Sequence, residues 1–377
     1  MAANKKLRRF YLLCLIFLVL SVNNSSVARG QIDAFAPEAS QKRRQLVPAM
    51  FVFGDSLLDN GNNNNFLISF AKANYFPYGI DFSAGPTGRF SNGYIMADAI
   101  AELLGLPLLP PHTGTSVEQM RYGVNFASAA SGILDITGQN FVTLIPFNEQ
   151  INNFETSLEQ IIDILGVPDL GQALARSIFF VAMGSNDYLN NYLMPNYVTR
   201  TQYNGDQFAD ILIHQYTAQL TRLYRLGARR FAIAGLGLLG CIPSILSQGN
   251  EGVCSEEINQ LVRPFNINLK AMINNLTTNL PDTLFSYIDI HNIMQDITAN
   301  AGTYGFNVVN RGCCGVGKNR GQLTCLPFQT PCPNRDQYIF WDAYHPTEAV
   351  NMLIGHRAFN GSTDYVYPVN IEQLATL

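Results

Sequence analysis

Four short, continuously apolar runs rich in β-formers, residues 49–53, 177–182, 230–234 and 284–290, recur at long intervals along the chain. Strands that are apolar at every position, not at alternate ones, are buried on both faces. Between the runs, residues 95–104 and 207–226 carry apolar side chains at helical spacing, and Gly227 supplies a stop for the second helix. Strand and helix in alternation predict an α/β class fold, a three-layer α/β/α sandwich around a central parallel sheet. Residues 48–377 show no Pro/Ser linker and no break in composition, so they read as one domain, with long insertions at 59–120 and 237–281. The Asn-rich run 60–65, interrupted by Gly61, reads as a tight loop bonded by its own side chains.

The first thirty residues belong to a different category. Lys5-Lys6-Leu7-Arg8-Arg9 precedes an apolar stretch over 11–22, and Ala28-Arg29-Gly30 offers small residues at cleavage-signal positions. That pattern is a secretory signal peptide, too short for a comfortable membrane span. Residues 31–47 are polar and aperiodic, a flexible lead-in. Five of the 24 Lys and Arg fall in residues 1–30 and none of the 28 Asp and Glu, which leaves a mature net charge of −9. With no basic cluster, that charge argues against nucleic acid and anionic membrane surfaces as partners, and no integral membrane segment is expected after signal removal.

Export also explains the cysteines. Cys14 lies in the signal, and Cys241, Cys254, Cys313, Cys314, Cys325 and Cys332 form an even set for an oxidising compartment, so three disulfides are expected. Six cysteines permit about 15 connectivities, and sequence does not choose among them. Four of the six crowd into 313–332, a Gly/Pro-rich loop whose stapling would steady the block from Asp342 to His345. Asn275-Leu276-Thr277 and Asn360-Gly361-Ser362 are glycosylation acceptors for an exported chain, expected on the surface.

The first apolar run ends in Gly54-Asp55-Ser56-Leu57, which brings a serine hydroxyl to the surface of a sheet. A hydroxyl attacks only when a base takes its proton, and a histidine held by a carboxylate is the usual base. Of five histidines, His112 follows Pro110-Pro111 in a loop, His214 and His356 fall in helical patterns, and His291 ends a strand. His345 differs because Asp342 precedes it by three residues, a spacing that lets the carboxylate accept the Nδ1 proton and leaves Nε2 for Ser56. By spacing alone, an Asp-x-x-His pair serves structure as readily as catalysis.

Four blocks in order, Gly54-Asp55-Ser56-Leu57, Gly123-Val124-Asn125-Phe126-Ala127, Gly184-Ser185-Asn186-Asp187 and Trp341-Asp342-Ala343-Tyr344-His345-Pro346, make the chain resemble the SGNH (GDSL-type) serine esterases and lipases. From about residue 48 onward it is similar to their plant secreted branch. The resemblance implies a flavodoxin-like SGNH hydrolase fold, a catalytic triad of Ser56, His345 and Asp342, and an oxyanion hole from the Ser56 and Gly123 amides and the Asn186 side chain. Read without their companions, Gly123 is a turn or bulge glycine and Asn186 a cap after a strand. Pro346 and Thr347 suit the start of a closing helix through Val350 and Leu353. Tyr94 departs from the basic residue usual after Gly88-Arg89-Phe90-Ser91-Asn92-Gly93, which bears on substrate contacts and not on the reaction.

The Gly-x-Ser-x-Gly elbow of α/β-hydrolases is absent, as are phosphate loops, dinucleotide fingerprints and metal-ligand spacing, so no cofactor or metal is expected. The expected function is a secreted serine esterase/lipase, located in the apoplast or cell wall, that hydrolyses hydrophobic, lipid-type esters through an acyl-enzyme on Ser56. Acyl transfer or deacetylation on cutin or wall polymers would use the same five residues. A non-catalytic binding protein on the same fold would be free to lose any of them. Chain length of the acyl group and oligomeric state are not legible.

Overall fold

The computed structural model describes residues 44–377, except 166–169 and 250–251; the signal-peptide reading and most of the lead-in lie outside the described residues. Four parallel strands carry the fold: β1 (Met50–Gly54), β2 (Ile178–Ala182), β3 (Arg230–Ala234) and β4 (Leu284–Ile288), in the order β1-β2-β3-β4. Each lies within two residues of an apolar run read from sequence. Two short strands, β5 (Val308–Gly312) and β6 (Tyr338–Phe340), pair with each other, and β7 (Val366–Pro368) closes the main sheet antiparallel to β4. On the other side of β1, Val52 donates to Val124 O at 3.0 Å and accepts from Phe126 N–H at 2.7 Å. Residues 124–126 thus flank β1 as a short parallel edge. The chain adds to one side of β1 and then, with β2, to the other, which opens a crevice at the carboxyl end of β1.

The strands alternate between two apolar layers, as a doubly covered sheet requires. Phe51, Phe53, Phe179, Val181, Phe231, Ile233 and Phe285 face α2 (Phe147–Leu165), α4 (Gly205–Arg225) and α5 (Glu256–Asn279). A short helix, α3 (Leu170–Arg176), leads into β2. Met50, Val52, Ile178, Phe180, Ala232 and Ile288 face the other way, against α1 (Met96–Leu103), α6 (Ile290–Ala299), α7 (Glu348–Asn360) and α8 (Ile371–Thr376). The three layers expected from sequence are present.

Both segments expected to be insertions do more than decorate. Residues 237–281 hold α5, the crossover that returns the chain from β3 to β4 and buries Phe265, Leu269 and Ile273 in the core. Two parallel strands cannot be joined without such a crossover. Residues 59–120 hold α1 and end in the turn that precedes residues 124–126. Packing also begins slightly earlier than residue 48, because Leu46 N–H bonds Leu104 O at 3.0 Å and Val47 is buried.

The Asn run is the well-bonded loop its composition implies. Asn62 Nδ2 reaches Asn125 O and Ala127 O, Asn63 Nδ2 reaches Ala71 O and Ala129 O, and Asn64 Nδ2 reaches Thr87 O. The bonds to Asn125, Ala127 and Ala129 tie the chain after Ser56 to residues 124–126 and the loop that follows them.

Candidate active site

Ser56 begins a single helical turn at the end of β1. Leu58 and Asp59 amides bond Asp55 O, and the Leu57 amide bonds Asp55 Oδ1 at 2.9 Å. Gly54 is required just before it: a Cβ there would lie 2.7 Å from Ala182 O and 2.9 Å from the Leu58 side chain. Gln150 of α2 takes the place of a neighbouring strand at this point, accepting from Gly54 N–H at 3.0 Å and donating to Gly54 O at 2.9 Å. The backbone just before the nucleophile is therefore held on this edge by a side chain that sequence reasoning did not single out.

The base arrives from the far end of the chain. β6 runs into a tight loop closed by Trp341 N–H on His345 O at 2.8 Å. Within it, Asp342 Oδ1 accepts the amides of Tyr344 (2.9 Å) and His345 (2.8 Å), and both carboxylate oxygens lie 2.8–2.9 Å from His345 Nδ1. The opposite ring nitrogen, Nε2, is 2.8 Å from Ser56 Oγ. Asp342 is fully buried, and burial would raise its carboxyl. The charge of His345 and hydrogen bonds from His345, Tyr78 and the Tyr344 amide outweigh that and hold it below the ordinary carboxylate value. The other four histidines lie elsewhere: His112 packs on Phe126, His291 is in the first turn of α6, His214 is in α4 and His356 in α7.

All six cysteines among the described residues pair, as Cys241–Cys254, Cys313–Cys332 and Cys314–Cys325. The last two bridges act directly on the histidine loop, because the amides of Cys313 and Cys314 bond Phe340 O and Trp341 O at 2.9 and 2.7 Å. The start of α7 is held from another side, by Glu348 N–H on Asn92 Oδ1 at 2.8 Å. The Gly88–Gly93 motif thus caps the helix beyond His345. Tyr94, where the departure falls, points its hydroxyl to Glu102.

Asn186 sits in the turn after β2 and is buried. Its Oδ1 accepts from Asn190 at 2.5 Å, and its Nδ2 spends one hydrogen on Ser131 O at 2.9 Å. An amide nitrogen carries two hydrogens, so one remains. Asp187 beside it accepts from the Ile133 and Leu134 amides and from Thr137 Oγ1 at 2.7–3.1 Å, which binds the 131–137 loop to this turn.

Gly123 does not join the site, contrary to expectation. Its amide bonds Met120 O at 2.9 Å, and a Cβ on it would fall 1.8 Å from Met50 O. Met50 is the first residue of β1 and Ser56 lies beyond its last, a separation of more than ~13 Å at the rise of a strand. With φ of +110°, Gly123 is a close-approach glycine at the opposite end of the sheet. The second-block loop instead reaches Ser56 later, where Ser128 N–H and Ser131 Oγ both bond Gly54 O at 3.0 Å. Between them Ala130, at φ +68°, has an amide with no acceptor among the described residues. The acceptor asparagines are both exposed, Asn275 within α5 and Asn360 at the end of α7.

A serine–histidine–aspartate relay at the carboxyl end of a doubly wound sheet defines a serine hydrolase. Residues 50–358 match the family model described as GDSL-like Lipase/Acylhydrolase. The chain is 62% identical over 333 residues to GDSL esterase/lipase At1g71691 of Arabidopsis thaliana, covering 88% of this chain and 86% of that one. It is 48% identical over 367 residues to GDSL esterase/lipase At1g29670 of the same plant, covering 96% and 98%. It belongs to the GDSL esterase/lipase family, and it is an enzyme that acts on esters.

Proposed function

We propose that this chain is an exported carboxylic ester hydrolase working through an acyl-enzyme on Ser56. The observation that carries the reading is the 2.8 Å contact of His345 Nε2 with Ser56 Oγ, backed by Asp342 on Nδ1. His345 takes the hydroxyl proton as Oγ bonds the carbonyl carbon, and returns it to the departing alcohol when the tetrahedral adduct collapses. Water then repeats the sequence on the acyl-enzyme, with His345 again first base and then acid. The developing oxyanion is received by the Ser56 amide and the second hydrogen of Asn186 Nδ2. The Ala130 amide takes the role expected of Gly123.

The acyl chain lies in an open cleft beside Asp55 and Leu57. Met96, Leu236, Leu238, Ile290, Met294 and Ile354 make its walls apolar, which favours a hydrophobic acyl group over a short or charged one. Residues 1–30 act as the signal peptide, 31–47 as the lead-in, and 48–377 as the single hydrolase domain. Destination in the apoplast or cell wall, and glycans on Asn275 and Asn360, accord with three disulfides and exposed acceptor positions.

Purified mature protein is assayed against p-nitrophenyl esters of graded chain length, with and without glycerol. Hydrolysis that rises with chain length and continues unchanged in glycerol is expected. A glyceryl ester as main product would make the enzyme an acyltransferase, and a preference for acetate would remove the cleft from the reading.

A further inference from the structure

The carboxylate of Asp342 is held from behind by two hydroxyls that the relay itself does not require. Tyr78 donates to Oδ2 at 2.6 Å, Thr324 Oγ1 donates to the same oxygen at 2.9 Å, and the two hydroxyls are 2.8 Å apart. They come from different parts of the chain. Tyr78 belongs to the 59–120 segment, and its ring is wedged edge-on among Tyr75, Phe90 and Trp341 with centroids 5.3–6.1 Å away. Thr324 immediately precedes Cys325, which is bridged to Cys314, and Tyr75 fastens the same loop by donating to Cys325 O at 2.9 Å.

We propose that Tyr78 and Thr324 are positioning residues that share the charge of Asp342 and fix its plane against His345 Nδ1, with the Cys314–Cys325 bridge holding Thr324 to the task. Oδ1 of the buried carboxylate already accepts the Tyr344 and His345 amides, whereas on Oδ2 the donors besides His345 are these two hydroxyls, which face the charge that stabilises the imidazolium. The two hydroxyls draw off part of that charge, and losing either one leaves more of it facing Nδ1. The titratable groups facing this pair are Tyr75, Tyr78 and Tyr344 around Asp342, and Asp55 beside His345. Burial raises all three phenols, Tyr75 to about 12, so none ionises in the working range.

This inference rests on the Ser56 reading, and the experiment separates the two. Tyr78→Phe keeps the ring packing and Thr324→Val keeps the shape, and each loses only a hydroxyl; Thr324→Ser restores one. The pH dependence of kcat/KM on a short p-nitrophenyl ester is measured with fluorophosphonate labelling of Ser56 and the thermal midpoint. Each hydroxyl-deleted variant is expected to move the acidic limb up by about half a pH unit and to lower kcat roughly ten-fold with KM little changed, while Thr324→Ser stays near wild type. An unmoved limb in a folded, labelled Thr324→Val protein overturns the proposal alone, and that pair decides the matter even where Tyr78→Phe does not fold. Failure of Ser56 to label in the wild type overturns the Ser56 reading and this proposal with it.

Discussion

Ser56 Oγ and His345 Nε2 stand 2.8 Å apart although 289 residues separate them in the chain. Two independent anchorages bring them together. Gln150 and the 128–131 loop hold Gly54 at the end of β1, while the Cys313 and Cys314 amides and the Asn92 side chain hold the loop and helix that carry His345.

Replacing Ser56 with Ala removes the only atom positioned to carry the acyl group. Hydrolysis should fall by roughly a million-fold with the thermal midpoint nearly unchanged, since the side chain is half-buried and packs little. Steady-state assays with calorimetry on the same preparation check both. Substantial turnover by folded Ser56→Ala protein would end the acyl-enzyme reading.

Asn186→Ala should lower kcat by about two to three orders of magnitude with a small change in KM, because the remaining amide hydrogen matters most once negative charge has developed. The same change frees Ser131 O and the Asn190 amide, so a modest loss of stability accompanies it. A variant that loses stability but keeps kcat would make Asn186 a loop anchor only.

Gly123→Ala should behave in the opposite way. Strain at positive φ costs about 1–3 kcal/mol by itself, and the contact with Met50 O adds to it. The thermal midpoint should drop clearly, with kcat of the surviving folded enzyme close to wild type. A fall of orders of magnitude in kcat at unchanged stability would return the oxyanion role to Gly123 and take it from Ala130.

Legibility in the sequence depends on how local the information is. β1 to β4 are legible because strands buried on both faces are apolar at every position. β7 and residues 124–126 are not, because three residues are too few for any period. Ser56, Asn186, Asp342 and His345 stand in blocks whose spacing survives in the fold. Gly123 misleads because glycine marks its own conformational need, whereas Ala130 reaches φ +68° with nothing in its side chain to announce it. Tyr78 is silent for another reason: its hydrogen bond to Asp342 spans 264 residues and exists only once the sheet, the Asn-rich loop and the disulfides are in place.

Stability should fall as pH rises from mildly acidic to neutral. Burial raises four carboxyls, Asp59 and Asp187 to about 6 and Asp55 and Glu348 to about 7. Each binds its proton more tightly in the folded chain than in the unfolded one, where an aspartate titrates near 3.8. The folded state therefore carries more protons across the window from 3.8 to about 7, and stability declines as pH climbs through it. Asp342 works in the other sense: held below its ordinary value, it contributes stability that is present above 3.8 and lost in stronger acid. His112, lowered by burial, opposes the decline near neutrality, but it is one group against four. The thermal midpoint of the mature enzyme, scanned in buffers from about pH 4 to about pH 8, should peak on the acid side of about pH 6 and drop toward neutrality. Asp59→Asn should flatten that drop while lowering the whole curve, since the amide oxygen still accepts from Gly61 and Asn62 but its nitrogen faces the Ala129 amide that Oδ2 now accepts. A midpoint that rises steadily from about pH 5 to about pH 7 would mean that these carboxyls are ionised in the folded state at acid pH.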